Sequence, residues 1–174
     1  TFVLTVTAVN DAPTISAIAD TTTAEDTATA ALAFTVGDVE TAAADLIVTA
    51  TSSNTALVPN ASLVLAGAGA ARTLTATPAF NEFGTATITV TVSDGTATTS
   101  TTFLLTVTAV NDAPTISTIA DTTTAEDTAT AALAFTIGDI ETAAADLTVS
   151  ATSSNTSLVP NASLVFGGAG AART

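Results

Sequence analysis

The residues of this chain that could do chemistry are carboxylates and amides, which lie singly or in pairs between apolar stretches. The 174 residues include 16 acids but only two arginines, and no lysine, histidine, cysteine or tyrosine, so the formal net charge is −14. Zinc therefore has no nitrogen or sulfur ligands, and a serine nucleophile has no base. A carboxylate pair such as Glu25 and Asp26 is the only catalytic option, and it lies in a turn with no implied pocket. We therefore expect a protein without enzymatic activity.

Hard oxygen ligands are the chemistry that the loops do offer. Calcium binds about six to eight oxygens, mostly from carboxylates and carbonyls, and takes them from flexible loops. The loop acids and amides are Glu25, Asp26, Asp38, Glu40, Glu82, Asp94, Asn111 and Asp112. A strongly acidic chain makes nucleic acid and anionic membranes poor partners, because both require clustered cations. Charge and loop composition together indicate calcium, or a basic surface, as the partner.

The chain is two phases of one repeat. Residues 1–73 match residues 102–174 at an offset of 101, with 64 of 73 positions identical. A period of about 100 residues is typical of one whole β-domain per repeat. We interpret residues 1–11 as the last strand of a preceding repeat, 12–112 as a complete repeat and 113–174 as the N-terminal, incomplete part of the next. The sequence is therefore interpreted as a window on a longer array.

Positions that differ between the two phases predict which way their side chains face. We expect exposure where a small polar residue appears in either copy, at Ala17, Ile47, Thr49 and Ala56. Where both copies stay apolar, we expect positions that point inward or into a joint between domains. These positions are Val3, Val36, Val39 and Leu65, with their counterparts Leu104, Ile137, Ile140 and Phe166.

Alternating apolar residues separated by turn signals predict about seven or eight strands in each repeat. The clearest strand covers 85–93, with Ile88, Val90 and Val92 expected on its inner face and threonines on its outer face. It ends at an Asp-Gly pair, 94–95, which is a hairpin signal. The other expected strands are 14–18, 30–36, 45–51, 57–58, 62–65, 72–77 and 99–107. We therefore predict an all-β fold of Greek-key β-sandwich domains in tandem.

Export and membrane signals are missing from the sequence as given. No stretch approaches the roughly 18 continuous apolar residues of a transmembrane helix. Residues 1–11 alternate like a strand and lack the basic start and the cleavage site of a signal peptide. Because there is no cysteine, a disulfide framework is excluded, and a secreted chain of this kind must gain rigidity in another way.

The acidic loops are expected to gather at the two ends of each sandwich, because the connections between strands lie at one end or the other. Counting strands from the hinge puts 24–27 and 81–84 at a lower end, and 37–41 and 94–95 at an upper end. Each joint would then combine acids from the bottom of one repeat, from the linker and from the top of the next. Such a cluster would repel itself, and a divalent cation would offset the repulsion and fix the joint.

The hinge Ala-Val-Asn-Asp-Ala-Pro, at 8–13 and again at 109–114, resembles the calcium linker of cadherins, which reads Asp-x-Asn-Asp-Asn-x-Pro. Glu25 resembles the lone Glu of the cadherin first turn, 38–40 its Asp-x-Asp, and 94–95 its late Asp-Gly turn. The whole period is also similar to the cadherin-like and Ig-like tandem repeats of giant bacterial surface adhesins. This resemblance implies Ig-like or cadherin-like domains in an extracellular, calcium-rigidified stalk that holds a binding tip away from the cell.

The resemblance implies a set of calcium ligands from the linker and from the loops at both ends of a repeat. They are Asn10, Asp11, Glu25, Asp38, Glu40, Asn81, Glu82, Asp94, Asn111, Asp112, Glu126, Asp139 and Glu141. Ala109 replaces the first Asp of the cadherin linker, which implies fewer ions and weaker binding. Turn capping is the competing interpretation of the acids, and we prefer it for Asp20, Asp26 and Asp45. Arg72 is expected to pair with an acid of its own domain.

Three functions stay open at this point. The first is a structural extender whose partners are the neighbouring repeats of the same chain. The second is an adhesive module for glycan, another cell or ice; against it, the chain has no Trp or Tyr to stack on sugar, and its threonines indicate no flat, regular array across many strands. The third is a subunit of an extracellular filament in which strands pair between copies, because an incomplete sandwich would expose its edges.

Overall fold

A computed structural model describes all residues of the chain, 1–174. The chain divides into two compact units, Thr1–Val110 and Asn111–Thr174, so the division lies inside the repeated hinge. Both units are built of strands and contain no α-helix, only the 3-10 turns Asn60–Ser62 and Asn161–Ser163. The predicted all-β class is confirmed. None of the helical segments has the length and apolarity that crossing a membrane requires.

The first unit is a sandwich of two four-stranded sheets. Its strands are β1 (Thr14–Ile15), β2 (Thr21–Ala24), β3 (Leu32–Gly37), β4 (Ile47–Ser52), β5 (Leu63–Ala68), β6 (Ala71–Ala76), β7 (Gly84–Ser93) and β8 (Thr98–Thr108). One sheet has the order β1-β3-β6-β5 and the other the order β2-β8-β7-β4. The chain therefore crosses between the sheets after each of the first four strands and again after β6, in agreement with the Greek-key prediction.

The core of the first unit follows the alternation of the sequence. Ile88, Val90 and Val92 on β7 are fully buried, as predicted, and they belong to the same cluster as Phe34 of β3 and Leu105 of β8. The residues between them are threonines on the outer face, because successive side chains of a strand point to opposite faces. β-Branched side chains suit such a surface, so the exposed face supports the strand as well.

Two elements of the first unit differ from expectation. β2 has no apolar alternation to predict it, and it forms because it pairs in parallel with β8. The expected strand at 57–58 is wrong: Leu57 and Val58 lie in a turn, although both are buried in the core. Pro59 follows them and cannot donate a backbone hydrogen bond, so this short segment contributes to the core without joining a sheet.

The predicted facing of the variable positions is confirmed in part. The residues expected to be exposed are exposed, namely Ala17, Ile47, Thr49 and Ala56. Val36 and its counterpart Ile137 are buried, as expected. The inward alternative is wrong for Val3, Val39, Leu104 and Ile140, which are all exposed, whereas Leu65 packs against the core. Val39 lies in a bend after β3, and Leu104 lies opposite Thr87 on the outer face of the sheet.

The second unit forms one sheet. Its strands are β9 (Thr115–Ile116), β10 (Phe135–Gly138), β11 (Gly168–Ala169) and β12 (Ala172–Arg173). Their order, β11-β12-β10-β9, is the order of their counterparts β5, β6, β3 and β1 in the first unit. Residues 122–125 and 148–153, the counterparts of β2 and β4, form no strand. Leu158 is 76% exposed, whereas its counterpart Leu57 is 1% exposed.

Candidate functional site

The upper end of the first unit consists of two acidic turns and the hinge that precedes β1. Asp38 Oδ1 accepts the backbone N–H groups of Glu40 at 3.0 Å and Thr41 at 2.7 Å. Asp94 Oδ1 likewise accepts the backbone N–H groups of Thr96 and Ala97, each at 2.6 Å. Both carboxylates therefore cap their own turns, which is ordinary chemistry for Asp in this position.

The hinge joins these two turns. The Asn10 side-chain amide donates to Asp94 Oδ2 at 2.9 Å, and the Asp11 backbone N–H donates to Glu40 Oε2 at 3.1 Å. The N–H of Ala97, the Asn10 amide and the N–H of Thr96 lower the pKa of Asp94 below its ordinary value. Hydrogen bonds thus connect the five predicted ligands of the upper end of this unit, Asn10, Asp11, Asp38, Glu40 and Asp94, although Asp11 takes part through its backbone only.

The second unit repeats this pattern. Asp139 Oδ1 accepts the N–H groups of Glu141 at 3.2 Å and Thr142 at 2.7 Å. The Asp112 N–H donates to Glu141 Oε2 at 3.0 Å, as Asp11 does to Glu40. The Asn111 amide bonds to the Asp112 carbonyl at 2.7 Å. The contact between the hinge and the first acidic loop is therefore local, since it forms in both units, whereas the Asn10–Asp94 contact belongs to the first unit.

The lower end of the first unit is organised around a buried carboxylate. Glu25 is 3% exposed, its backbone N–H donates to the Thr108 carbonyl at 2.9 Å, and its Oε1 accepts the Val110 N–H. Beside it, Asp26 Oδ1 accepts the Asn81 N–H at 2.8 Å. Asp26 and Asn81 both have a φ of 57°, a left-handed conformation that Asp and Asn tolerate better than most residues. The turns at 24–27 and 81–84 thus meet at one end, as the strand count predicts.

Two predicted ligands stand apart from these contacts. Glu82 is exposed next to Asn81. Glu126 is exposed in the second unit, where the residues directly before it, 122–125, form no strand. Glu126 therefore lacks the burial of its counterpart Glu25, although the neighbouring residues are identical.

Five buried side-chain polar atoms have no hydrogen-bond partner in the structure. They are Glu25 Oε2, Asp38 Oδ2, Arg72 Nε, Asn81 Oδ1 and Glu141 Oε1. Buried polar atoms are nearly always bonded, and leaving one unpaired costs about 1–3 kcal/mol. Four of the five are oxygens, and all four belong to residues that the sequence predicts as calcium ligands. Carboxylate and amide oxygens are the donors that calcium prefers, so these residues suit the ion chemically.

The acidic side chains do not converge on one point. No group of three or more of them lies close enough together to hold a metal ion. An ion at either end would therefore depend on carbonyl or water oxygens for the rest of its coordination, which calcium accepts. The role of the predicted ligands stays a prediction.

Arg72 corrects one expectation, because its partners are backbone carbonyls and not an acid. Its guanidinium donates to the Gly67 carbonyl at 3.2 Å and to the Ala43 carbonyl at 3.0 Å. Arg173 makes the equivalent bonds to Gly168 and Ala144. The arginine thus ties the β5–β6 hairpin to the loop before β4, and it leaves the acids of the upper end without this cation. No spacing of residues along the chain indicates these carbonyl partners.

Asp20 corrects another expectation, because the partner of its side chain is a distant strand and not its own turn. Its Oδ1 accepts the Leu104 N–H at 2.7 Å, so it anchors β8 beside the start of β2. The two residues are 84 positions apart, and no local pattern indicates the pairing.

Comparison with known protein families agrees with this two-sheet architecture. Residues 10–108, more than half of the chain, match the family model of the bacterial Ig domain. The chain belongs to this family. Bacterial Ig domains are in general non-enzymatic, and membership indicates a structural or adhesive module of a surface or extracellular protein. The Ig-like part of the resemblance is thereby confirmed, whereas the cadherin-like adhesin part stays a prediction.

Solved structures with a similar fold include domains of titin. The bacterial Ig chain is similar to titin domain M7, with a TM-score of 0.45 and 18% identity, over 59% of this chain and 100% of that one. It is also similar to the titin domains Z1Z2 in complex with telethonin, with a TM-score of 0.44 and 13% identity, over 78% of this chain and 68% of that one. Similarities at these scores carry no functional conclusion. No curated protein matches the chain in sequence.

Proposed function

We propose that this chain is a structural extender from a long extracellular repeat protein, in which calcium bound at the acidic ends of the repeats rigidifies the succession of domains. One observation carries the proposal. The orphaned buried oxygens of Glu25, Asp38, Asn81 and Glu141 all belong to residues that the sequence predicts as calcium ligands. Membership of the bacterial Ig domain family supports the extracellular setting.

Turn capping does not compete with calcium for these carboxylates, because the two roles use different oxygens. Asp38 Oδ1 accepts two backbone N–H groups, while its Oδ2 is buried without a partner. In the second unit, Glu141 uses Oε2 for the Asp112 N–H and keeps Oε1 unbonded. The existing bonds hold each carboxylate in one orientation, so less side-chain entropy is lost when the second oxygen binds an ion.

Charge also favours a cation at the upper end of the first unit. Asp38, Glu40 and Asp94 contribute three negative charges there, and the nearby cation, Arg72, donates to carbonyls instead. A divalent ion would offset the mutual repulsion of the carboxylates. The modest number of acids suits weak binding, with the dissociation constant of about 10⁻⁴ to 10⁻³ M that is typical of extracellular calcium modules.

The extender role rests on the repeat and on the position of the acids. The two phases are identical at 64 of 73 positions, so successive domains would have the same ends and the same hinge. Neighbouring domains move relative to each other by default unless their connection is stabilised. Calcium at the ends of each repeat would stabilise every connection of an array in the same way.

Thermal unfolding of the 174-residue chain in calcium and in a chelator tests the metal part of the proposal. A ligand at about 100 times its dissociation constant stabilises by about 2.7 kcal/mol. Each kcal/mol raises Tm by about 4–8 °C in a domain of this size, so we expect a rise of about 10–20 °C. Magnesium should act more weakly, because it gives up its waters reluctantly. An unchanged Tm in calcium would contradict the proposal.

A matched pair of variants tests the assigned residues. Asp38→Asn keeps an oxygen to cap Glu40 and Thr41 but removes the charge from the unbonded position, so we expect it to remove a large part of the calcium-induced rise in Tm. Asp45→Asn removes the same charge from an exposed residue outside the predicted ligand set and should leave the rise unchanged. Equal losses in both variants would mean that calcium responds to net charge alone.

Rigidification is measured separately with spin labels on Thr49 and its counterpart Ser150, which are exposed and lie in different units. The extender role requires calcium to narrow the distribution of distances between the two labels. A distribution that is equally broad in calcium and in chelator would contradict the extender role, even if calcium binds.

A further inference from the structure

The edge strands of the first unit are protected from other chains to different degrees. The edges are β1 and β5 in one sheet and β2 and β4 in the other. All eight strands of this unit are formed, so these are the edges of a whole sandwich. We propose that β5 of one copy of this chain pairs antiparallel with β5 of a second copy, which joins the two molecules side by side. The proposal does not depend on calcium.

β1 and β2 carry features that oppose such pairing. An edge strand exposes unpaired backbone N–H and C=O groups, and natural proteins protect it by shortness, by proline or by charge. β1 has two residues and directly follows Pro13. β2 has four residues and lies between the exposed carboxylates of Asp20 and Asp26. Neither edge is therefore a good template for a second chain.

β4 is protected near both of its ends. The exposed Asp45 lies two residues before the first residue of the strand, Ile47. At the other end, the Asn60 side-chain oxygen accepts the backbone N–H of Ser52 at 2.8 Å, so this group is already used. β4 therefore offers a free edge only along its middle.

β5 lacks these protections. Its six residues, Leu63–Ala68, include no charged residue and no proline. Val64 is 57% exposed, and Ala66 on the same side of the strand is exposed as well. The side-chain hydrogen bond to the backbone of this strand is the one from Arg72 to the Gly67 carbonyl, near the far end. β5 thus offers an uncharged edge with free backbone groups along most of its length.

The distribution of charge favours a second copy of this chain as the partner. The chain has 16 acids, but residues 46–81, which include β4, β5 and β6, contain none of them. Val48 of β4 and Leu65 of β5 line one small cavity of about 110 Å³, so the two strands lie at the same side of the sandwich. Copies with a net charge of −14 repel each other overall, and they approach with the least repulsion through a side without acids.

An antiparallel pair of identical strands is also self-complementary. A two-fold axis between two copies of β5 makes every contact reciprocal, so one strand supplies both halves of the interface. Directly opposed residues of an antiparallel pair share a face, so with the axis perpendicular to the sheet Val64 and Ala66 lie opposite outward residues of the second copy. The two four-stranded sheets then form one continuous sheet with β5 of each copy at its centre.

Pairing through one strand is weak, because six residues bury much less than the roughly 1,200 Å² of a stable interface. The stretch without acids recurs at 147–174, so successive repeats share its composition. Several weak contacts between two aligned arrays reinforce one another, because the first contact raises the effective concentration of the next. In the proposed array, β5 pairing would therefore bundle neighbouring molecules laterally. This last step rests on the proposed extender function, whereas the pairing of two copies does not.

Sedimentation velocity of the 174-residue chain in chelator, from about 10⁻⁶ to 10⁻³ M, tests the pairing across the range expected of a small interface. We expect a reversible dimer towards the upper end of this range. Val64→Lys should lower the association constant at least about tenfold, because it puts a charged group on the paired edge. A chain that stays monomeric over the whole range would overturn the proposal.

Thr22→Lys is the matched control, because Thr22 is exposed on β2, an edge strand of the other sheet. Both substitutions reduce the net negative charge by one, so general repulsion between copies predicts stronger association in both variants. The proposal predicts weaker association for Val64→Lys and no weakening for Thr22→Lys. Equal changes of the association constant in the two variants would overturn it.

Amide hydrogen exchange of the wild-type chain locates the contact without any substitution. In concentrated chain, amides on the free edge of β5 should exchange more slowly than in dilute chain, whereas the amides of β2 should not change. Protection that is absent from β5, or confined to another strand, would contradict the proposal. The calcium proposal would survive that result, since every measurement here is made in chelator.

Discussion

Glu25 and Glu126 lie in identical stretches of sequence, Thr-Thr-Thr-Ala-Glu-Asp-Thr, but in opposite environments. In the first unit β2 pairs with β8, and Glu25 is buried against the Val110 N–H. In the second unit the same seven residues form no strand, and Glu126 is exposed. The difference lies in the pairing with β8, because residues 111–174 include no counterpart of that strand. The lower end of a repeat is therefore built by a long-range contact.

The upper end shows the contrasting behaviour. Asp38 and Asp139 cap the same two N–H groups in their own units, and Glu40 and Glu141 accept the same hinge N–H. These bonds span at most 29 residues, and they form in both units. A calcium site at the upper end would therefore be largely preorganised by local sequence, whereas one at the lower end would require the closing strand.

The largest effect is expected for a pair of substitutions at equivalent leucines, one in β8 and one in segment 1–9, which has nearly the same sequence but forms no strand. Leu105→Ala should cost about 2–5 kcal/mol of unfolding free energy, because it leaves a cavity in the core of the first unit. Leu4→Ala removes the same atoms from an exposed segment and should stay within about 0.5 kcal/mol. Urea unfolding in chelator measures both. Similar costs would mean that residues 1–9 are already packed as β8 is.

The next effect compares the two glutamates. Glu25→Gln keeps the acceptor for the Val110 N–H but removes the charge of the orphaned oxygen. We expect it to reduce the calcium-dependent stabilisation by about 1–3 kcal/mol, most of what binding can provide. Glu126→Gln, in the same sequence without the strand pairing, should change it by less than about 0.5 kcal/mol. Unfolding in calcium and in chelator gives the calcium-dependent stabilisation of each variant. Equal losses of this stabilisation in the two variants would show that calcium binding does not depend on the burial of the glutamate.

A smaller effect is expected for Arg72, which donates to two carbonyls of the first unit. Arg72→Met should cost about 1–3 kcal/mol, because the two hydrogen bonds of a charged donor are lost. Arg72→Lys keeps the charge without the planar fork, so it should recover only part of the loss. Unfolding in high and low salt separates the two causes. Full recovery by lysine would show that charge, and not the fork, stabilises the upper loop.

The smallest effect is the pH response of the upper end. Hydrogen bonds from Ala97, Asn10 and Thr96 lower the pKa of Asp94 in the folded chain. The ionised group therefore stabilises the fold above the ordinary Asp pKa of about 3.9, and this contribution is lost as the pH falls below that value. Asp94→Asn should slightly reduce the change of the unfolding free energy with pH in this range. An unchanged curve below pH about 4 would contradict the assignment.

Much of the fold could be predicted because it depends on local alternation. The strand at 85–93 and its Asp-Gly turn follow from the period-two pattern alone. Counting strands also groups the acidic loops correctly by end, as the Asp11–Glu40 and Asp26–Asn81 bonds show. Such features depend on side-chain alternation and on the direction of the chain, and both can be inferred from a sequence.

The rest depends on contacts between distant residues. β2 forms by parallel pairing with a strand more than 80 residues away, and its run of threonines has no apolar pattern of its own. The carbonyl partners of Arg72 and the burial of Glu25 likewise follow from tertiary packing. The sequence also indicates which residues are acidic, but it cannot indicate which oxygen of each carboxylate is already used by a turn.

The most direct test of calcium binding is a titration of the isotope-labelled chain with calcium. The chemical shifts of the backbone amides are measured at each step of the titration. We expect saturable changes in the amide chemical shifts of Glu40 and Thr41 at the upper end and of Val110 at the lower end. The amide shifts of Leu63–Ala68 in β5 should change little. Magnesium at the same ionic strength should produce smaller shifts at these amides. Shifts that are absent, or spread evenly over the chain for both ions, would contradict calcium binding by the orphaned oxygens.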